Sequence, residues 1–262
     1  MALTDTKDIL SISRARSISQ NEHGMQLTNK SSQLISIVIP ALNEEEGIGK
    51  TISEIPVDEL KKLGFELEIL VVDGNSFDRT RMVAKEKGAK VIIEPRKGYG
   101  RAYKTGFSYA KGDFIVTFDA DASYPAFDIP RILKIFEAKN LDFLSTNRFG
   151  KIEKGAMGTL NSIGNRLLSL VIRILFSINL MDSQSGMWVI RTEIIPKILP
   201  DSNGMPFSEE IKIRAFKDFK ALEVPIVYRK RLGQKKLKVF KDGLYNLLYL
   251  LKLWIKLKQS RC

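Results

Sequence analysis

From residue 34 the chain alternates short apolar runs with amphipathic stretches. Ile35 to Pro40 (ISIVIP) reads as a strand buried on both faces. A helix opens near Asn43, with Glu44 to Glu46 in its first turn, where carboxylates suit the positive end of the helix dipole. The unit recurs as Glu68 to Asp73 before a helix from about Asp78, Ala89 to Glu94 before one from about Gly98, and Phe114 to Asp119 before one from about Asp128. Repeated strand-then-helix units predict an α/β fold, with a mostly parallel central sheet and helices on both faces. Beyond a fifth strand, Asp142 to Asn147, the pattern loosens. Thr159 to Phe176 and Ser208 to Phe216 have helical spacing, Met187 to Arg191 and Glu223 to Tyr228 read as strands, and a basic, apolar helix starts near Lys238.

Ligands of such sheets bind outside the carboxyl ends of the strands, which singles out Pro40 to Glu44, Asp73 to Ser76, Pro95 to Gly100 and Asp119 to Ser123. Asp119 and Asp121 alternate along an extended backbone, so both side chains are expected on one side, a few ångströms apart. Two such carboxylates repel unless a cation or proton separates them, and a hard divalent ion bridging to substrate phosphates resolves the conflict. The plainer alternative is a capping aspartate beside a solvated neighbour. Gly98-Tyr-Gly100 could let backbone amides approach a phosphate, although Gly106 is misplaced for the dinucleotide fingerprint. Asp73 could accept a hydrogen bond from a nucleobase imide or form an Asx turn with Asn75.

Composition narrows the chemistry. Lys plus Arg number 42 against 30 Asp plus Glu, a net +12, which implies an anionic partner: phosphate, nucleic acid or a membrane surface. The sole histidine is His23, in a polar stretch, and the sole cysteine is Cys262. Cysteine zinc sites and internal disulfides are therefore excluded, Ser-His-Asp, Cys-His and His-metal chemistry are disfavoured, and a reducing compartment fits. Residues 1–33 are polar and lack turn signals, so a flexible tail is expected. The run Leu167 to Met181 is broken by Arg173 and is too short to span a bilayer.

Five stretches in order, VIPALNEE (Val38 to Glu45), VVDGNSFD (Val71 to Asp78), KGYG (Lys97 to Gly100), Asp119-Ala-Asp121 and DSQSGM (Asp182 to Met187), resemble the family 2 glycosyltransferases of GT-A fold, more narrowly the dolichyl-phosphate mannose or glucose synthases. The resemblance runs from about Ile35 to Leu237. It implies that Pro40, Leu42, Glu44 and Asp73 cradle the nucleotide, that Lys97 and Gly98 lie near it, and that Asp119 and Asp121 hold Mg2+ or Mn2+ on the diphosphate. The usual second acid after Asp73 is absent, which leans toward a uridine donor, UDP-glucose or UDP-N-acetylglucosamine, over GDP-mannose. The resemblance further implies that Arg148, after the fifth strand, faces the phosphates, that Asn165, Arg166 and the Gln184 loop line the acceptor side, and that Glu210 sits near the sugar. Arg231 and Lys236 match the family's basic loop, with Lys235 in place of the usual Ser. For each base the bland alternative is a solvated surface charge.

If the acceptor is an alcohol, a base is required, and Glu210 or Asp182 is the candidate. A phosphate monoester, with a second pKa of about 6, arrives ionised and needs cations instead. Scarce histidine and abundant arginine favour the polyprenyl (dolichyl) phosphate acceptor and direct displacement with inversion. Transfer to a glycan or soluble hydroxyl is the alternative, and a regulatory protein that keeps the fold without turnover is a third reading. A nucleic-acid module is disfavoured, because no helix-turn-helix or RNA-binding signature is present. Between Arg229 and Arg261 eleven basic residues face one acid, Asp242. There Leu244, Leu247, Leu248, Leu251, Trp254 and Ile255 share one side of the helix, with Tyr245 and Tyr249 nearby. That pattern reads as a peripheral anchor on the cytoplasmic face of a membrane, or as a helix packed on protein. Residues 34–237 are thus expected to form the GT-A domain and 238–262 a basic amphipathic helix.

Overall fold

A computed structural model describes residues 32–234 and 239–259, with side chains from Gly243 onward in the second stretch. The expected tail through residue 31, and Lys235, Lys236 and Cys262, lie outside the described residues. The chain forms β1 (Gln33–Ala41), α1 (Glu45–Ser53), α2 (Val57–Lys62), β2 (Phe65–Asp73), α3 (Thr80–Glu86), β3 (Lys90–Ile93), α4 (Tyr99–Tyr109), β4 (Phe114–Thr117) and α5 (Ile129–Ala138). It continues with β5 (Phe143–Ile152), α6 (Thr159–Phe176), β6 (Trp188–Arg191), α7 (Ile195–Ile198), α8 (Phe207–Asp218), β7 (Ala221–Tyr228) and α9 (Val239–Gln259).

The strands make one 7-stranded sheet in the order β3-β2-β1-β4-β6-β5-β7. Alternation along each strand feeds two apolar layers. Ile35, Ile37 and Ile39 of β1 join Ile48 and Ile52 of α1 and Leu133 and Phe136 of α5, whereas Val38 joins Tyr103 and Phe107 of α4 and Phe207 and Ile211 of α8. Helices therefore cover both faces, as the apolar runs require.

The sheet is mostly parallel, as expected, and one strand runs against it. β6 lies between β4 and β5 and is antiparallel to both, with Trp188 opposite Thr117 and Ser145. Its start therefore lies at the carboxyl rim, so the residues before it, Asp182 to Met187, reach the rim together with residues that follow the parallel strands. A rule that inspects only residues after strands passes over this loop.

Other boundaries shift for local reasons. β4 ends at Thr117, so Asp119 and Asp121 occupy a turn and not the extended backbone expected for them. α1 shapes that turn: Thr51 Oγ1 donates to Ala120 O at 3.0 Å and accepts from Ala122 N at 2.9 Å. Gly47 lets the helix close in, because a Cβ there would lie 2.7 Å from both Ala120 O and Asp121 Cα. β5 runs past the expected end at Asn147, and Arg148 sits within it, where the register with β7 shifts between Asn147 and Lys151. The short helices α2 and α7 have too few turns to show a period in sequence.

α9 divides its apolar residues between two sides. Leu250 and Leu253 are buried with Leu168 and Ile172 of α6 and Ile213 of α8, and Leu247 and Trp254 are partly covered by the same cluster. Leu244, Leu248, Leu251 and Ile255 stay exposed. The single face expected for α9 is therefore two, and the helix does pack on protein. Among the described residues no helix is long and apolar enough to cross a membrane.

Gly47→Ala should lower stability by about 1–3 kcal/mol, because its new methyl meets backbone that cannot rotate away. Gly164→Ala, in α6 with nothing within 4 Å, should raise stability by about 0.5–1 kcal/mol. Urea midpoints of the two variants check both signs.

Candidate active site

At the end of β2, Asp73 is fully buried and caps its own turn, with Oδ1 accepting from Ser76 N at 3.0 Å and lying 3.6 Å from Arg81 Nε. Its Oδ2 is buried with no hydrogen-bond partner. Such an orphaned acceptor is costly unless a ligand supplies a donor. The turn uses Oδ1, with Ser76, not Asn75, as its partner, which leaves Oδ2 for the donor that the nucleobase reading expects. Beside it the end of β1 is fixed by Asn43 N donating to Ser76 Oγ at 2.8 Å and Glu44 N to Thr80 Oγ1 at 2.7 Å. Pro40 pairs with Val72 in the sheet, and Leu42 stands 45% exposed on the rim.

The Asp119 and Asp121 turn is the electrostatic centre. Asp121 Oδ1 accepts from Ser123 N at 3.0 Å and Ser123 Oγ at 2.6 Å, and its Oδ2 lies 3.5 Å from Arg231 Nη1. Asp119 has one long contact, from Tyr99 Oη at 3.4 Å. Burial, then repulsion from Asp121, pushes Asp119 up to about 7 against the pull of Arg148 and Arg231. Two carboxylates, one of them short of donors, fit a divalent ion whose remaining ligands are diphosphate oxygens and water. No group of three metal-ligating side chains occurs among the described residues, so an ion here would depend on its substrate. Arg231 bridges Asp121 and Glu44, reaching Glu44 Oε1 at 3.3 Å, and supplies the counter-charge in this state.

The start of α4 behaves differently from the expectation. The amides of Gly100 and Arg101 donate to Gly204 O at 3.3 Å and Asn203 O at 3.1 Å, so they are taken and do not face a phosphate. The glycines serve that contact: a Cβ on Gly98 would lie 2.2 Å from Asn203 O, and one on Gly100 2.6 Å from Phe207. Lys97 is exposed just before this helix.

Arg148 is buried, and Asp182 holds it as a fork, with Nε to Oδ2 at 2.7 Å and Nη2 to Oδ1 at 2.8 Å. Burial raises the Asp182 carboxyl, but the guanidinium outweighs it and the net shift is downward. An acid so held, also accepting from the amides of Arg148 and Gln184, is a positioning group and a poor base, contrary to its expected catalytic role. Arg148 is left ionised with Nη1 for a ligand.

Glu210 also departs from expectation. It accepts from the amides of Asp201 and Ser202, from Arg214 Nη2 at 2.6 Å and from Tyr249 Oη at 2.5 Å, which ties the 201–202 loop and α9 to α8. Its neighbour Glu209 faces the site instead, accepting from the Gln184 side-chain amide. Burial pushes Glu209 up to about 8, so it is a neutral acid at pH 7. One turn on, Lys212 is buried and donates to Ser183 O at 2.7 Å, Ser185 O at 2.5 Å and Ser208 Oγ at 3.0 Å, holding the Gln184 loop from below. Neither residue is legible in sequence as a site member. The pair Glu209 and Glu210 differs only in helical phase, and Lys212 shares the phase of Glu209.

On α6, Asn165 contacts Met157 Sδ at 4.0 Å, and Arg166 is exposed with its guanidinium over the Phe149 ring. Ser169 Oγ joins this helix to the Gln184 loop through Ser183 Oγ at 3.1 Å. Lys236 lies outside the described residues. The structure thus gathers Leu42, Glu44, Asp73, Asp119, Asp121, Arg148, Asp182, Gln184 and Arg231 at one rim, and turns Glu210 away.

Glu209 has a pH signature. Its folded value near 8 exceeds the ordinary 4.5, so the folded state keeps a proton that the unfolded state releases, and stability falls as pH rises from 4.5 to 8. Glu209→Gln should remove that part of the fall in a melting series from pH 5 to 8.5. At roughly 2–4 °C per kcal/mol for a chain of this size, a difference of several degrees between the two slopes is expected.

Comparison with known proteins agrees with this geometry. The sequence matches Glycosyl transferase family 2 over residues 36–199. In Haloferax volcanii, the low-salt glycan biosynthesis hexosyltransferase Agl6 is 34% identical over 220 residues, 83% of this chain and 53% of the relative. A dolichyl-phosphate hexose transferase of that organism is 32% identical over 213 residues, 80% of this chain and 89% of the relative. The chain therefore spans about half the length of the first relative and most of the second. Glucosyl-3-phosphoglycerate synthase from Mycobacterium tuberculosis, solved with Mn2+, UDP-glucose and phosphoglyceric acid, superposes with a TM-score of 0.68 at 21% identity, covering 86% of this chain and 81% of that one. That likeness is one of fold and agrees with the GT-A architecture. With its sheet, its rim and its sequence in accord, the chain belongs to glycosyl transferase family 2.

Proposed function

We propose that the protein transfers a hexose from a nucleoside diphosphate sugar to a polyprenyl (dolichyl) phosphate, with inversion at the anomeric carbon. One observation carries the reading: among the described residues, apart from the Asp119 and Asp121 pair assigned to the metal ion and Glu44 and Asp73 assigned to the nucleotide, no carboxylate near the rim is free to act as a base. Asp182 is committed to Arg148, Glu210 points to Arg214 and Tyr249, and Glu209 is buried as a neutral acid. A hydroxyl acceptor would need such a base, whereas a phosphate monoester brings its own negative oxygen. The name of the Haloferax dolichyl-phosphate hexose transferase supports the same acceptor class.

Each residue then has a physical task. Asp73 Oδ2 awaits a donor, which the imide N–H of uracil or the N1–H of guanine would supply, and the choice of a uridine donor rests on the missing second acid after Asp73. Asp119 and Asp121 would hold Mg2+ or Mn2+, which neutralises the diphosphate and makes it a better leaving group. The Mn2+ and UDP-glucose bound by the Mycobacterium synthase support both choices. Arg148, aimed by Asp182, and Arg231, on its mobile-length side chain between Glu44 and Asp121, collect phosphate oxygens. The acceptor oxygen attacks the anomeric carbon as the carbon–oxygen bond to the diphosphate breaks. The bonding pair leaves with the nucleoside diphosphate, and no proton needs to move. Gln184, held by Glu209, lines the sugar and acceptor side.

Labelled UDP-glucose, UDP-N-acetylglucosamine or GDP-mannose with a polyprenyl phosphate, with and without manganese, tests the assignment. A lipid-linked product of inverted configuration is expected. Asp119→Ala and Asp121→Ala should each lower turnover by about 100-fold or more, while Glu210→Gln should keep most of it. Transfer to a hydroxyl acceptor, a retained configuration, or full turnover of the double alanine variant in chelator would reject it.

A further inference from the structure

α6 is apolar on the side it turns to water as well as on the side it buries, where Leu168, Ile172 and Phe176 lie. Leu160, Ile163, Leu167, Leu170 and Ile174 recur at intervals of three and four residues, and all are exposed, by 42% to 69%. Its polar residues Asn161, Ser162, Asn165 and Ser169 are half-buried or buried, and Ser169 reaches the Gln184 loop. A helix on a water-facing surface turns polar residues, not a stripe of apolar ones, to the solvent. α9 adds a second stripe, Leu244, Leu248, Leu251 and Ile255, exposed by 42% to 60%.

The two helices share a floor. Leu168 and Ile172 of α6 and Leu250 and Leu253 of α9 lie in one cluster with Ile213 of α8, and Tyr249 of α9 bonds to Glu210 of α8. Each exposed stripe is on the side of its helix opposite those buried residues, so both face away from α8. Exposed apolar area on this scale marks a docking surface.

Charge selects the occupant. Lys252 and Lys258 flank the α9 stripe, Lys258 with its ammonium 4.0 Å from the centre of the Trp254 ring, and Arg166 flanks the α6 stripe. A second copy would set these cations against their equals on a chain of net charge +12, whereas anionic lipid headgroups neutralise them while acyl chains receive the leucines. We propose that the outward faces of α6 and α9 together form a docking surface for the anionic leaflet of a membrane. α6 then presents apolar residues to the bilayer and polar residues to the Gln184 loop, which sets the reaction site at headgroup depth. The surface stands whether or not the acceptor is a lipid.

Flotation of the full chain with phosphatidylcholine vesicles, with and without phosphatidylglycerol, tests this. The protein should float with the anionic vesicles. Leu170→Glu/Ile174→Glu on α6 and Leu248→Glu/Leu251→Glu on α9 should each weaken partitioning at least tenfold, with melting temperatures unchanged because all four side chains are exposed. Lys252→Glu should weaken binding to anionic vesicles only. Wild-type flotation of the α6 variant would overturn the two-helix surface, as would a dimer that light scattering detects and the α6 substitutions dissociate. Turnover with a water-soluble, short-chain acceptor phosphate is the separating control. It should be unchanged in the α6 variant, and its absence from the wild type beside intact flotation would count against the acceptor assignment alone.

Discussion

Two negative side chains stand in one turn, and the fold holds them there against their repulsion. The turn is not an extension of β4. It is clasped by α1, which approaches closely enough only because residue 47 has no side chain, and whose Thr51 hydroxyl bonds on both sides of Asp121, to Ala120 O and from Ala122 N. The cost appears in Asp119, pushed up to about 7 by burial and by Asp121. Arg231 moderates it from one side and the Arg148 pair from another. The rim is therefore built around charge that awaits a partner.

A second layer of buried polar groups fixes the loop opposite. Arg148 and Asp182 form a forked pair inside the protein, of the kind whose disruption costs about 3–5 kcal/mol when one partner is removed. Lys212 holds the Ser183 and Ser185 carbonyls, Thr117 Oγ1 donates to Gly186 O at 2.9 Å, and Gly186 N donates to Tyr124 Oη at 2.7 Å. α8 does double duty: Glu209 and Lys212 bond to the loop, Glu209 bonds also to Asn246 of α9, and Glu210 bonds to Tyr249 of α9. Neighbouring acids in sequence thus have unrelated tasks.

The layers of the fold were legible because buried parallel strands write continuous apolar runs, and Ile35 to Pro40 and Phe114 to Thr117 do so. The direction of β6 was not, since four apolar residues carry no sign of polarity and only the path of α6 decides it. In the site, Asp73, Asp119 and Asp121 were legible from their place after strands. Asp182 and Glu210 are the base candidates for a hydroxyl acceptor because sequence shows an acid but not its partner, and here the partners, Arg148 and Arg214, decide the role. Gly98 and Gly100 looked like a phosphate cradle, and their freedom instead admits the 203–207 segment. α9 was read as one apolar side because helical spacing alone does not reveal that a chain can bury one stripe and expose another.

The central claim is that the acceptor arrives ionised and the protein supplies cations in place of a base. The pH dependence of kcat/KM for a polyprenyl phosphate, compared with that for a phosphonate analogue of higher second pKa, tests it most directly. The acidic limb should move upward with the ionisation of the acceptor. A limb that stays at the same pH for both acceptors would place the titrating group on the enzyme and contradict the account.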